Sequence, residues 1–167
     1  EPIDGSYPVS SRADLEAAVA AAAAAADALL DTDTGVRAAF LDAYADGIDA
    51  NADEIAERAH IETALPLSPR LRDVELPRTT GQLRQAAAAV REGTWMESTI
   101  DPETTIRSRL GPPGGGAAVS APPNSPPAVN GIPVGPLPAA TAAGHPGLAT
   151  AHSRPPGVPR RPAEPPP

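Results

Sequence analysis

Arg78 and Arg84 bracket the run Arg-Thr-Thr-Gly-Gln-Leu-Arg in this 167-residue chain, and arginines suit a carboxylate ligand. A guanidinium presents its N–H donors in a planar fork that matches a carboxylate bidentately. Glu62, in Glu62-Thr63-Ala64-Leu65-Pro66, is a third residue that could touch a substrate. The same residues also fit a surface helix laced with ion pairs, each of which contributes little, and both readings stay open. His145 and His152 could share a metal, but no carboxylate or cysteine accompanies them and no rigid element is expected there, so no metal site is predicted. His60 falls at the end of a helical stretch, where a dipole partner is the simpler role. The chain has no cysteine, which excludes thiolate nucleophiles, disulfides and Cys-based metal sites. Pro156-Gly157-Val158-Pro159-Arg160-Arg161 fits a polyproline ligand, a match that arises by chance in so proline-rich a segment.

The elements that must hold these residues are helical. Ser11 followed three residues later by Asp14 is an N-cap pattern, and Leu15, Val19, Ala22, Ala26, Leu29 and Leu30 recur at helical spacing. A first helix is expected over about Arg12 to Leu30, then a turn through Asp31-Thr32-Asp33-Thr34-Gly35. A second helix carries an apolar stripe of Val36, Phe40, Leu41, Tyr44 and Ile48. Asn51 with Glu54 marks the start of a third helix, which Pro66 ends. Pro69 and Pro77 push the start of the fourth helix to near Pro77. Its apolar face is Leu83, Ala86, Ala87 and Val90, and Gly93 suits the left-handed position that closes it. Trp95, a packing residue, opens a short stretch to Ile100 that reads as a strand.

Composition changes near Gly111. Of 23 prolines, 17 lie at or after Pro112, as do 9 of the 14 glycines from Gly111 on. Residues 1–110 form a helical unit with net charge −10, and residues 111–167 form a low-complexity tail with net charge +2. Beyond Leu110 no apolar period survives and prolines remove too many donors for helix or central strand, so extended, solvated backbone is expected. The acidic head repels phosphate backbones, which disfavours nucleic acid as a partner. Aromatics are 2% of residues, so any core is built from Leu, Ile, Val and Ala. Burying one Leu or Ile contributes roughly 1.5–3 kcal/mol while ordering each residue costs about 1–2 kcal/mol, so stability in isolation is expected to be marginal. The run Ala17 to Ala26 is too short for a membrane span and lacks signal-peptide flanks, so a cytoplasmic protein is expected, although a start at Glu1 without Met leaves room for an upstream segment.

Taken in order, Glu62-Thr63-x-Leu65-Pro66, the Arg78 to Arg84 run and Arg91-Glu92-Gly93-Thr94-Trp95 resemble the aldehyde dehydrogenase superfamily, within it the NAD(P)-dependent 2-oxoglutarate semialdehyde branch. Arg37 to Leu41, Ala45 to Ile48, Glu54 to Ala56 and Ile100-Asp101-Pro102 fall in the family's order, so the resemblance covers residues 12 to 110. It implies a mainly α fold, the helical N-terminal segment of an enzyme whose parent fold is α/β and Rossmann-like. The tail echoes two further family runs, at Ala121 to Pro126 and at Ala142 to His152. By that resemblance Asn124 is a vestigial oxyanion-hole donor, though an Asn among prolines is also an ordinary turn residue. Thr150 stands where the family has a cofactor-binding lysine, and Gly147-Leu148-Ala149 replaces a β-branched strand.

The resemblance also implies NAD or NADP as cofactor and a small aldehyde as substrate, with Arg78 and Arg84 suited to a dicarboxylic semialdehyde. Aldehyde oxidation there needs a cysteine thiolate, a glutamate base and a glycine-bearing dinucleotide loop. None can be assigned, and Gly114-Gly115-Gly116 lacks the flanking strand and helix. The expectation is a truncated or degraded dehydrogenase, inactive as this chain and binding no cofactor. Its tail would descend from the first Rossmann strands, and two copies could associate through exposed helix faces. The alternative is an Ala-rich helical interaction module with a Pro-rich tail that recruits a partner.

Overall fold

Ser11 starts the fold by a reciprocal cap. In the computed structural model, which describes residues 10–111, 116–120 and 136–150, the Asp14 N–H donates to Ser11 Oγ at 3.2 Å and the Ser11 N–H donates to Asp14 Oδ2 at 2.8 Å. Helix α1 then runs Arg12–Asp31. The Ser11 backbone N–H, and after it the Ser11 hydroxyl, hold the Asp14 carboxyl below the usual aspartate range. A carboxylate depressed on folding stabilises above its unfolded pKa, and that contribution is lost as pH falls through the lower folded value. Acidification below about pH 4 is therefore expected to fray the first turn of α1, seen as faster amide exchange there, and Asp14→Asn should flatten the profile. The same acid profile in both proteins would rule this cap out as the cause.

Asp33 caps α2, Thr34–Ala50, by accepting from the Gly35 N–H at 2.7 Å. Helix α3 spans Ala52–Thr63, but Asn51 does not cap it. Its side-chain amide instead donates to the Gly47 carbonyl at 2.8 Å, closing α2. The third helix also stops before Pro66: Ala64 takes the left-handed conformation at φ 57°, and Thr63 Oγ1 turns back to the Ala59 carbonyl at 2.6 Å. A π-helical segment, Leu67–Glu75, with extended dihedrals at Ser68, leads straight into α4, Leu76–Glu92. Wide turns suit this place, because Pro77 has no N–H to give to the preceding turn; the Leu76 N–H reaches back five residues to the Leu71 carbonyl. Gly93, at φ 70°, ends α4 in the left-handed position expected of it.

Helices α2 and α4 pack antiparallel and make the core. Ala38, Leu41, Ala45 and Ile48 of α2 meet Leu76, Leu83, Ala87 and Val90 of α4, with Ala56 and Ala59 of α3 and Leu71 beside them. The buried stripe of α2 is thus not the expected one. Leu41 and Ile48 are in it, but Val36, Phe40 and Tyr44 face outward at 60%, 57% and 38% exposure. Alanines at 38 and 45 let the α4 backbone come close, which turns the neighbouring bulky row out of the interface. Helix α1 buries no residue, and Leu15 and Val19 stay about half exposed.

Beyond α4 the expected strand at 95–100 is mostly something else. Thr94–Met96 is a 3-10 turn, and only Thr99–Ile100 (β1) is extended, pairing antiparallel with Arg107–Ser108 (β2). The expectation of purely extended backbone after Leu110 is corrected at three places: Ala117–Ser120 is a strand (β3), Pro136–Ala143 a helix (α5), and Gly147–Thr150 a strand (β4) parallel to β3. Prolines do not prevent α5, because Pro136 and Pro138 sit in its first turn, where N–H groups have no helical partner to lose. The remainder of the proline-rich region lies outside the described residues.

Candidate functional site

Val36 to Tyr44 of α2 and the body of α5, with the end of α1 and Leu83 of α4, border an open cavity of about 420 Å³. Val36, Phe40, Leu83 and Leu137 supply much of its wall, and Arg37, Tyr44, Thr141 and His145 bring polar groups to it. The row turned out of the helix interface is thus the row that lines this space. The Phe40 and Tyr44 rings sit 6.3 Å apart and tilted, and burial pushes the Tyr44 phenol up from its ordinary pKa. Arg37 Nε is buried and has no hydrogen-bond partner among the described residues. Sequence reasoning did not single Arg37 out; the signal it left was a lone cation inside the Val36, Phe40, Tyr44 stripe. The His145 backbone N–H donates to the Ala140 carbonyl at 2.8 Å, closing α5 through Gly144 at φ 88°.

The two arginines chosen from sequence are not brought together. Six positions on a 3.6-residue helix leave Arg78 and Arg84 about 120° apart around α4. Arg84 Nη2 pairs with Asp46 Oδ1 at 2.6 Å and Asp49 Oδ2 at 2.8 Å, and hydrogen bonds to Asp49 and Asp46 raise its pKa above the ordinary value. With the Arg91 to Asp42 pair at 2.5 Å, this forms a ladder of ion pairs between α4 and α2. Arg78 is exposed and pairs with no carboxylate among the described residues. Glu62 is engaged within its own helix: Oε1 accepts from Arg58 Nε at 2.6 Å, and the side chain is 0% exposed. Its other oxygen is buried without a partner among the described residues.

His60 Nδ1 lies 2.5 Å from the Leu65 carbonyl and so ties down the turn after α3. Trp95 flanks a shallow groove between α4 and α5 that includes Gln82, Gln85, Ala86 and Ala142. Asn124 and His152 lie outside the described residues, as does the Pro156 to Arg161 motif. No group of three or more metal-ligating side chains occurs among the described residues. No helix among them is long and apolar enough to cross a membrane.

The parallel β3 and β4 joined through α5 form the strand-helix-strand unit of an α/β sheet, set against a helical layer. The sequence pattern of the aldehyde dehydrogenase family matches residues 3–146. The chain is 45% identical over 111 residues to alpha-ketoglutaric semialdehyde dehydrogenase 2 of Azospirillum brasilense, a match that takes in 66% of this chain and 21% of that protein. Among solved structures it is similar to aldehyde dehydrogenase 21 of Physcomitrella patens, in complex with succinate, at a TM-score of 0.72 and 24% identity over 89% of this chain and 31% of that one. It is also similar to an NAD-dependent benzaldehyde dehydrogenase of Corynebacterium glutamicum, at 0.67 and 21% over 86% and 31%. A third such structure is a glyceraldehyde-3-phosphate dehydrogenase of Methanocaldococcus jannaschii complexed with NADP, at 0.68 and 23% over 87% and 30%. The chain therefore spans about a fifth of the length of the curated relative and less than a third of each solved structure.

Proposed function

This chain belongs to the aldehyde dehydrogenase family, and on that footing we propose that it is a truncated or degraded form of an NAD(P)-dependent enzyme, without dehydrogenase activity as this chain. The parent reaction is oxidation of a small aldehyde, α-ketoglutaric semialdehyde in first place, to its acid. The identity to the Azospirillum enzyme is the observation that supports the substrate. A cytoplasmic location belongs to the same reading, as does association of two copies through the exposed apolar residues of α1, Leu15 and Val19.

Chemistry supports the inactivity. Oxidation of the aldehyde on the family pattern begins with a thiolate adding to the carbonyl carbon, and the 167 residues include no cysteine. NAD(P) accepts the hydride in such enzymes. In open α/β sheets a dinucleotide lies beyond the carboxyl ends of the strands, against the N-terminus of the intervening helix. Here α5 begins Pro136-Leu137-Pro138, so two of its first three residues have no N–H to give a phosphate. The carboxyl end of β4 carries Thr150, which has no cation. The described residues do not fit a dinucleotide.

The test is purified chain with α-ketoglutaric semialdehyde or propanal and either NAD or NADP. No aldehyde-dependent rise in reduced nicotinamide absorbance is expected. A saturable rise would overturn the inactive reading, and its aldehyde preference would judge the substrate separately.

A further inference from the structure

We propose that the cavity between α2 and α5 is a binding site for a small monocarboxylate with an apolar body, its carboxylate on Arg37 and its hydrocarbon against Phe40, Leu83 and Leu137. Its volume of about 420 Å³ falls in the size class of small-molecule pockets, and its walls are mostly aliphatic and aromatic with a few polar groups, the composition such sites have. The chemical class follows from Arg37. A guanidinium carries five N–H donors and no acceptor, and its Nε has no partner among the described residues. A carboxylate accepts two parallel N–H bonds from that fork and neutralises its charge. A neutral ligand can accept from the fork but leaves its charge unpaired.

The site is shaped as well as charged. Gly144, left-handed at φ 88°, has no side chain where the guanidinium lies: a Cβ there would run into Arg37 Nη1. Gly147 likewise leaves room for the Leu137 side chain. Both walls therefore close on Arg37 and Leu137 only because two positions lack a Cβ. The mostly apolar lining favours a hydrocarbon body over a chain of carbonyl groups. The site does not rest on the proposed parent reaction.

Isothermal titration of the full chain with benzoate and with 4-methylpentanoate tests this, with benzamide and 4-methylpentanamide as neutral counterparts at matched ionic strength. Saturable one-to-one binding of at least one carboxylate is expected, with its amide at least about tenfold weaker. Arg37→Gln should weaken the carboxylate by a similar factor, and Arg37→Lys by less. Because changing Arg37 could also loosen the α2 to α5 contact, Val36→Trp, at a residue 60% exposed on the rim, provides a second variant that fills the mouth without entering the core. It should abolish binding while far-UV circular dichroism stays unchanged. No saturation by either carboxylate up to ~10 mM would overturn the proposal. So would equal affinity for acid and amide, or binding unchanged in folded Arg37→Gln or Val36→Trp.

Discussion

Leu83→Ala is expected to cost about 2–5 kcal/mol, a large share of the stability of a domain this size. Leu83 is 1% exposed and sits where α4 crosses α2. Ala38, Ala45 and Ala87 of the same helix contact are each fully buried and too short to fill the space a lost Leu83 would leave. Among the described residues the buried cluster has five residues larger than valine, namely Leu41, Ile48, Leu71, Leu76 and Leu83. One of them therefore carries an unusual share of the apolar area, while a domain's total stability is only about 5–15 kcal/mol. Urea titration followed by circular dichroism measures the loss. Leu15→Ala, at a residue 51% exposed on α1, is the control and should shift the midpoint little. Equal midpoints for the two variants would mean that the α2 to α4 contact is not the core.

Arg58→Met is the second large effect, at about 3–5 kcal/mol, because it strands the Glu62 carboxylate. The Glu62 side chain is 0% exposed and its Oε1 depends on Arg58 Nε at 2.6 Å. Its Oε2 already lacks a partner among the described residues. Removing the cation leaves a buried charge with nothing to offset its desolvation, and the other contacts of Arg58 are lost with it. The pair itself need not be stabilising: Arg58→Met/Glu62→Leu, which removes both charges, should recover most of the loss. Thermal unfolding of the two single variants and the double would decide it. A double variant as unstable as Arg58→Met would show that Arg58 matters through packing of its stem, not through Glu62.

The ion-pair ladder explains why the most recognisable run in the sequence is poor evidence for substrate contact. In Arg78 to Arg84, Thr79, Thr80 and Leu83 are buried in the helical core. Arg84 is taken up by Asp46 and Asp49, which lie 38 and 35 residues earlier in the chain. Nothing at position 84 announces that partner, because it depends on how α4 lies on α2. Asn51 shows the same limit over a shorter distance. It stands at a helix start, at φ −112° and ψ 19°, yet its amide closes the helix before it.

The sequence by itself determined what is settled within a turn or two of chain. Ser11 and Asp14 start α1 and Gly93 stops α4, because caps and left-handed glycines act locally. It also determined the family, whose short runs keep their order whatever they pack against. Tertiary structure alone decided which row of α2 is core and which is cavity wall. Leu41 and Phe40 are adjacent in sequence and similarly apolar, and only the close approach of α4 over Ala38 and Ala45 separates them. It alone decided, too, that Ala117–Ser120 and Gly147–Thr150 pair as parallel strands. Three alanines and Gly147 give the two segments little strand preference of their own, and the hydrogen bonds that make them strands come from residues 30 positions away.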